Sequence, residues 1–391
     1  MIVIPSASGG RIWQCVDMGE LQRILDRSCT SGHVPGAGAL VARDGEIEIA
    51  FAGEQTVGGP LMSEDTIVRI ASITKPIVAA ATMVLIERGL VGLDDPIDRW
   101  LDELAEPVVL RTLDGPVDDV VPAERQVTVR DLLTFSGGLG LPQRFDLPIA
   151  QLLFERISEG PPQPQQHPAP DEWLQRVATV PLLHQPGQGW TYNTGAELLG
   201  VLLGRAAGGT LFDVLTDTVL GPVGMADTAF FCTDVERIAS LYQHTDDGLE
   251  LIDPPDGQWA AEPPFLSGGG GLLSTVRDWY AFGAMLLAGG EHDGHQVLTE
   301  DSVRQMTSAH VDGGPKHLFL DGQGWGFGGG VDLRTTHPWN VPGRYGWVGG
   351  TGTAGYLIPS TGTVVVWMCQ VQLGGPDDTR SMADVLTYAA R

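Results

Sequence analysis

The sequence predicts an α+β fold: one antiparallel sheet built from both ends of the chain and flanked by terminal helices, plus a central, mostly helical lobe. Two observations predict it. Strand-like segments stand near the two ends, with helix-patterned segments between them. The apolar segment Ile77 to Leu90 also reads as one buried helix, headed by Ser72-Ile73-Thr74-Lys75. The chain has 391 residues, 42% of them hydrophobic, enough for a large core. The sheet lobe is expected over about residues 1–90 and 265–391 and the helical lobe over about 91–264, the two forming one unit.

From the start, Asp17 to Cys29 sets Met18, Leu21, Ile24 and Leu25 at helical spacing between charged residues. Gly38 to Ala42 and Glu46 to Phe51 are two strands joined by Asp44-Gly45, a pair suited to a tight hairpin turn. Ser72 to Arg88 has no internal glycine and stops at Gly89, a helix terminator. Pro76 falls early enough that its missing N–H leaves that helix intact. Helical segments follow over Asp94 to Leu104, Thr128 to Leu133, Asp171 to Val177 and Gly195 to Ala207. The run Pro161 to Pro168 is too proline-dense for regular structure and reads as an exposed loop. Strands return at Gly324 to Leu333, Gly355 to Pro359 and Thr363 to Gln370, and a helix from Thr379 to Ala390 closes the chain.

Composition excludes several function classes. A net charge of −26, with no cluster of Lys and Arg, argues against nucleic acid or an anionic membrane as partner. Neither a signal peptide nor a long apolar span is visible, so the expected location is cytoplasmic. Cys15, Cys29, Cys232 and Cys369 are scattered and read as free thiols in a reducing compartment. The chain has no H-E-x-x-H, no P-loop and no G-x-S-x-G elbow. His292 and His295 flank a turn and read as surface residues, so neither metal nor cofactor is expected. A literal G-x-G-x-x-G at Gly350, Gly352 and Gly355 runs into Tyr356-Leu357-Ile358-Pro359 instead of a helix, which argues against a dinucleotide.

The chemistry is concentrated at Ser72 and Lys75. Residues three apart lie on one helical face, so the amine reaches the hydroxyl, and in a poorly solvated site it can act as its base. An N-capping serine followed by a solvated lysine is the bland alternative. Lysine usage weighs against that alternative, because Lys75 and Lys316 are the only lysines, and Lys316 reads as a surface loop residue. Tyr192, delivered by Pro186-Gly187-Gln188-Gly189-Trp190-Thr191 just before a helix, is a candidate proton carrier. The stretch Tyr345 to Tyr356 has glycines enough for backbone to approach a ligand. Placed on an edge strand, it would offer an N–H of Gly350 or Thr351 opposite that of Ser72 as an oxyanion hole.

These residues resemble the serine β-lactamase-like hydrolases, the group of class C β-lactamases, D,D-peptidases and family VIII carboxylesterases. The similarity covers nearly the whole chain. It includes Met62 to Thr66, Leu132 to Leu139, Gly189-Trp190-Thr191-Tyr192, Leu220 to Met225, Ser267 to Thr275 and Gly324 to Gly328. The resemblance implies a β-lactamase/transpeptidase-like fold and an acyl-enzyme on Ser72, with Lys75 as general base and Tyr192 as proton relay. Two departures narrow the activity. Where the β-lactamases carry Tyr-x-Asn, Thr194 stands two after Tyr192, with Asn193 one place early. Where they carry Lys-Thr-Gly, Val348-Gly349-Gly350 stands here, or Trp347-Val348-Gly349 in the neighbouring register. Loss of that lysine is similar to the esterase branch and implies a hydrolase of small carboxylic esters. Trp347, Val348, Gly349, Gly350, Thr351 and Thr194 are its expected oxyanion and substrate contacts. An amidase, D-amino-acid peptidase, β-lactamase or acyltransferase on the same site stays open, as does a non-catalytic penicillin-binding-like sensor. The sequence leaves homo-oligomerisation open as well.

Overall fold

A computed structural model describes residues 19–391 except 44, 315–316 and 376–377. The expectations for Cys15, for the helix start at Asp17 and Met18, for Asp44 in its turn, for the loop at Lys316 and for the extreme N-terminus lie outside the described residues.

The main sheet has eight antiparallel strands: β1 (Gly36–Arg43), β2 (Glu46–Gly53), β3 (Val311–Asp312), β4 (Gln323–Trp325), β5 (Gly330–Asp332), β6 (Tyr345–Gly349), β7 (Thr353–Ile358) and β8 (Thr363–Cys369). Their spatial order is β3-β4-β5-β6-β7-β8-β1-β2, so the first hairpin closes onto the last strand of the chain. Side chains alternate between faces, as a strand requires. Ala37, Ala39 and Val41 of β1 and Val365, Trp367 and Cys369 of β8 join one core with the terminal helices α1 (Glu20–Thr30) and, later in the chain, α8 (Ala383–Ala389). Leu40 and Val364, Val366 and Met368 join the larger core on the other face. Strand β2, at the sheet edge, is exposed over its first three residues, which include Glu46 and Glu48, charges that discourage pairing with another chain.

The larger core is built around α2 (Lys75–Glu87), in which every residue from Lys75 to Leu85 is buried. A helix apolar on all sides belongs inside a protein. Packed on it is α6 (Thr194–Ala207), and α3 (Val129–Leu133), α4 (Pro148–Ile157), α5 (Pro170–Val177) and α7 (Val276–Leu287) bury side chains in the same core. Gly89 takes φ of 72° just past the end of α2, the left-handed stop that glycine permits.

Five expectations are corrected. Ser72 does not open the α-helix; it lies in a 3-10 turn, Ala71–Thr74, and the α-helix begins at Lys75. Pro76 has no N–H for the Ser72 carbonyl, so the Lys75 N–H takes that carbonyl in a tighter closure. Asp94 to Leu104 is two 3-10 turns, Ile97–Arg99 and Asp102–Leu104, because Pro96 is extended and bridges Thr128 instead of continuing a helix. Gly324 to Leu333 is the hairpin of β4 and β5, and the closing helix is confined to Ala383–Ala389. Finally, β6 is an interior strand, not an edge. It pairs with β5 only at Tyr345 and Gly346, so its Trp347–Gly349 half has a partner on the β7 side alone. Among the described residues no single helix is long and apolar enough to cross a membrane.

Candidate active site

The turn carrying Ser72 is tied down on both sides. Ala71 sits at φ of 44°, unusual for a residue with a Cβ, and such a conformation persists only where its surroundings hold it. Those surroundings come from the sheet. The Thr353 hydroxyl donates to the Ile70 carbonyl at 2.9 Å, and the Thr351 hydroxyl donates to the Arg69 carbonyl. On the far side the Trp279 indole N–H donates to the Ile73 carbonyl at 3.2 Å. Gly349 allows the approach of β6, since a Cβ there would stand 2.4 Å from the Ile70 oxygen.

Lys75 comes from the first turn of α2 and is 1% exposed. Its Nζ donates to Ser72 Oγ at 2.8 Å and to the Gly269 carbonyl at 2.5 Å, and lies 4.8 Å from the centre of the Tyr192 ring. Gly269 has no room for a side chain: a Cβ would meet Glu197 Oε1 at 2.4 Å and Asn193 Oδ1 at 2.8 Å. Tyr192 is anchored by reciprocal backbone bonds with Leu141 and stacks on Phe319 with ring centres 4.7 Å apart. Its Oη accepts from the Trp347 indole N–H at 2.7 Å, which leaves the phenolic hydrogen to be donated elsewhere.

Ser72 and Tyr192 open on one cleft. Trp347, Val348, Gly350 and Thr351 stand on its wall with them. Gly349 and Thr194 do not. Gly349 faces the Ile70 backbone, and Thr194, fully buried at the start of α6, is replaced on the wall by its neighbour Asn193. The proline-dense loop is not merely exposed: it holds a 3-10 turn at Pro164–Gln166, buries Pro164 and contributes Pro161, Pro162 and His167 to the wall. Aromatic rings of Phe145, Phe154 and Phe319 line the mouth, and among the described lining residues there is no Arg or Lys.

The sequence reading missed a buried polar group beside Lys75. Glu197 Oε1 accepts from the Ser267 hydroxyl at 2.7 Å, and Ser267 Oγ accepts from the Gly270 N–H at 3.0 Å, shaping the glycine run whose carbonyl holds Lys75. Asn193 Nδ2 donates to Glu159 Oε1 at 2.7 Å. Burial raises the Glu159 carboxyl to about 7, with Glu197 adding to the rise and the Asn193 bond and Lys75 opposing it. His167 is lowered, chiefly by burial. Glu197 had a local signal, one turn into the helix that follows Tyr192; Glu159 had none. His292 and His295 face each other across a short hairpin, and among the described residues no three His, Cys, Asp or Glu side chains converge on a metal site.

Comparison with known proteins accords with this geometry. A family model described as Beta-lactamase matches residues 21–389. Protein Rv1367c of Mycobacterium tuberculosis is 35% identical over 364 residues, covering 89% of each chain. Esterase EstB of Burkholderia gladioli is 34% identical over 278 residues, covering 66% of this chain and 67% of its own. The solved structure of EstCE1, titled a hydrolase with promiscuous acyltransferase activity, superposes with a TM-score of 0.77 at 24% identity, covering 95% of this chain and 97% of its own. That last likeness speaks for the β-lactamase/transpeptidase-like fold. The match over nearly the whole chain, together with relatives of this identity, makes the protein a member of the Beta-lactamase family.

Proposed function

We propose that the protein is a serine hydrolase of carboxylic esters working through an acyl-enzyme on Ser72. The observation that carries the reading is the 2.8 Å contact between Lys75 Nζ and Ser72 Oγ in a buried setting, with the Tyr192 ring centre 4.8 Å from the same amine. In this reading the unprotonated Lys75 amine takes the hydroxyl proton as Ser72 Oγ attacks the ester carbonyl. The backbone N–H groups of Ser72 and of Gly350 or Thr351 stabilise the oxyanion. Tyr192 donates its proton to the leaving alkoxide and recovers one from Lys75, and a water then hydrolyses the Ser72 ester. Trp347 supports the exchange by fixing the phenol oxygen from behind.

Two features favour a neutral ester over a β-lactam. A β-lactam brings a carboxylate, yet among the described residues the cleft wall offers no Arg or Lys and does carry Glu159 and Glu197. The position of the lactamase lysine is taken by Trp347 or Val348, both on the wall. The name of the relative EstB points the same way. Parallel time courses with p-nitrophenyl butyrate and a chromogenic cephalosporin test this choice. The ester should turn over at least about 100-fold faster in kcat/KM, a margin one lost charge-assisted anchor supplies. A cephalosporin rate equal to or above the ester rate would contradict the reading.

A further inference from the structure

Asn193, directly after Tyr192, has φ of 80° and ψ of −63°, and the Thr194 N–H closes back on the Tyr192 carbonyl at 3.2 Å. This is a γ-turn of the strained kind, rare in any residue with a side chain. It persists where something outside the turn holds it. The holder visible here is Glu159. Ser158 ends α4 in the left-handed conformation, φ 56° and ψ 36°, and so turns Glu159 inward, where it is 6% exposed. Its Oε1 takes the Asn193 Nδ2 hydrogen at 2.7 Å. The other end of the same amide, Oδ1, lies against Gly269, whose carbonyl holds Lys75.

We propose that Glu159 is a positioning residue, which clamps Asn193 in its strained turn and thereby sets Tyr192 against Ser72 and Lys75. The proposal rests on the reading of Tyr192 as proton relay. It assigns a role to a segment, α4 and the loop after it, in which no sequence pattern pointed to function. Glu159 lines the cleft, but a neutral ester brings no charge for its carboxyl to meet; its loss acts through Asn193, so it should appear in kcat and leave KM for such an ester nearly unchanged. A glutamine keeps the acceptor oxygen; a leucine removes it.

The test is steady-state kinetics with p-nitrophenyl butyrate on the full chain, comparing Glu159→Gln, Glu159→Leu, Asn193→Ala, Asn193→Gly, the double variant Glu159→Leu/Asn193→Gly, and Tyr192→Phe as reference. Glu159→Gln should retain kcat within about 3-fold, while Glu159→Leu and Asn193→Ala lose it by about 10- to 100-fold, the scale of a displaced catalytic group. Glycine adopts the turn without strain, so Glu159→Leu should cost little further in the Asn193→Gly background. Asn193→Ala removes the other end of the bond and serves where Glu159→Leu does not fold. Wild-type kcat in Asn193→Ala or in a folded Glu159→Leu, alongside an impaired Tyr192→Phe, would overturn the proposal. So would an undiminished Glu159→Leu loss in the Asn193→Gly background. Wild-type turnover in Tyr192→Phe would instead remove the relay reading itself.

Discussion

Ser72 meets Lys75 because a 3-10 turn and the first turn of a helix keep residues three apart on one side, and this contact was legible in the sequence. Its partners were less so. Trp347 reaches Tyr192 from the other end of the chain, and Glu159 reaches Asn193 from an element without a motif, so no local pattern could announce either bond. Glu159 also leaves a signature in stability. Its carboxyl is raised from 4.5 to about 7 in the folded protein, so between those values the unfolded chain releases a proton that the folded one keeps. Stability should therefore fall as pH rises through that window, by up to roughly 3 kcal/mol, and level off above it. Glu159→Gln should remove this component and be the more stable protein at pH 8. Urea midpoints for both proteins across pH 4 to 8 check it, and equal slopes in the two would refute it.

At the scale of elements, the turn carrying Ser72 is held between the sheet and α7. Strand β6 lies across the Ile70 backbone because Gly349 lacks a Cβ, and Thr351 and Thr353 bond the two carbonyls before the turn. The glycine-rich stretch was legible as a place of close approach; that it approaches the backbone just before Ser72 was not, because glycine spacing does not say which neighbour comes near. The edge position expected for β6 was half right in effect, since its second half is unpaired on the cleft side although the strand is interior. A second support is the ion pair of Arg69 with Asp253, both nearly inaccessible to solvent, joining the backbone before Ser72 to a distant hairpin. Asp253→Ala would strand the buried guanidinium and should destabilise the protein by about 3–5 kcal/mol. Removing an exposed partner, as in Asp217→Ala beside Arg88, should cost under about 1 kcal/mol. Denaturant titration separates the two, and equal small losses would show that the Arg69 pair carries no special weight.

At the scale of the molecule, the expectation of a sheet drawn from both ends of the chain is met by β8 pairing with β1. Strand-like segments near both ends of the chain and the apolar α2 made that architecture readable. The middle of the chain was harder, because Pro96 and the run from Pro161 to Pro168 break helical periodicity and their conformations depend on what they pack against. That proline-dense loop forms a wall of the cleft, so the region with the weakest sequence signal shapes the space in which substrate must fit. The family and the fold follow from the whole chain, whereas the proposed reaction rests on a few atoms around Ser72. The most direct test of the reaction is intact-mass spectrometry of wild type and Ser72→Ala during reaction with p-nitrophenyl esters, followed by peptide mapping. The account predicts a transient gain of one acyl group on the peptide containing Ser72, with adduct and turnover both lost in Ser72→Ala. Turnover that survives in Ser72→Ala, or an acyl group on another residue, would contradict it.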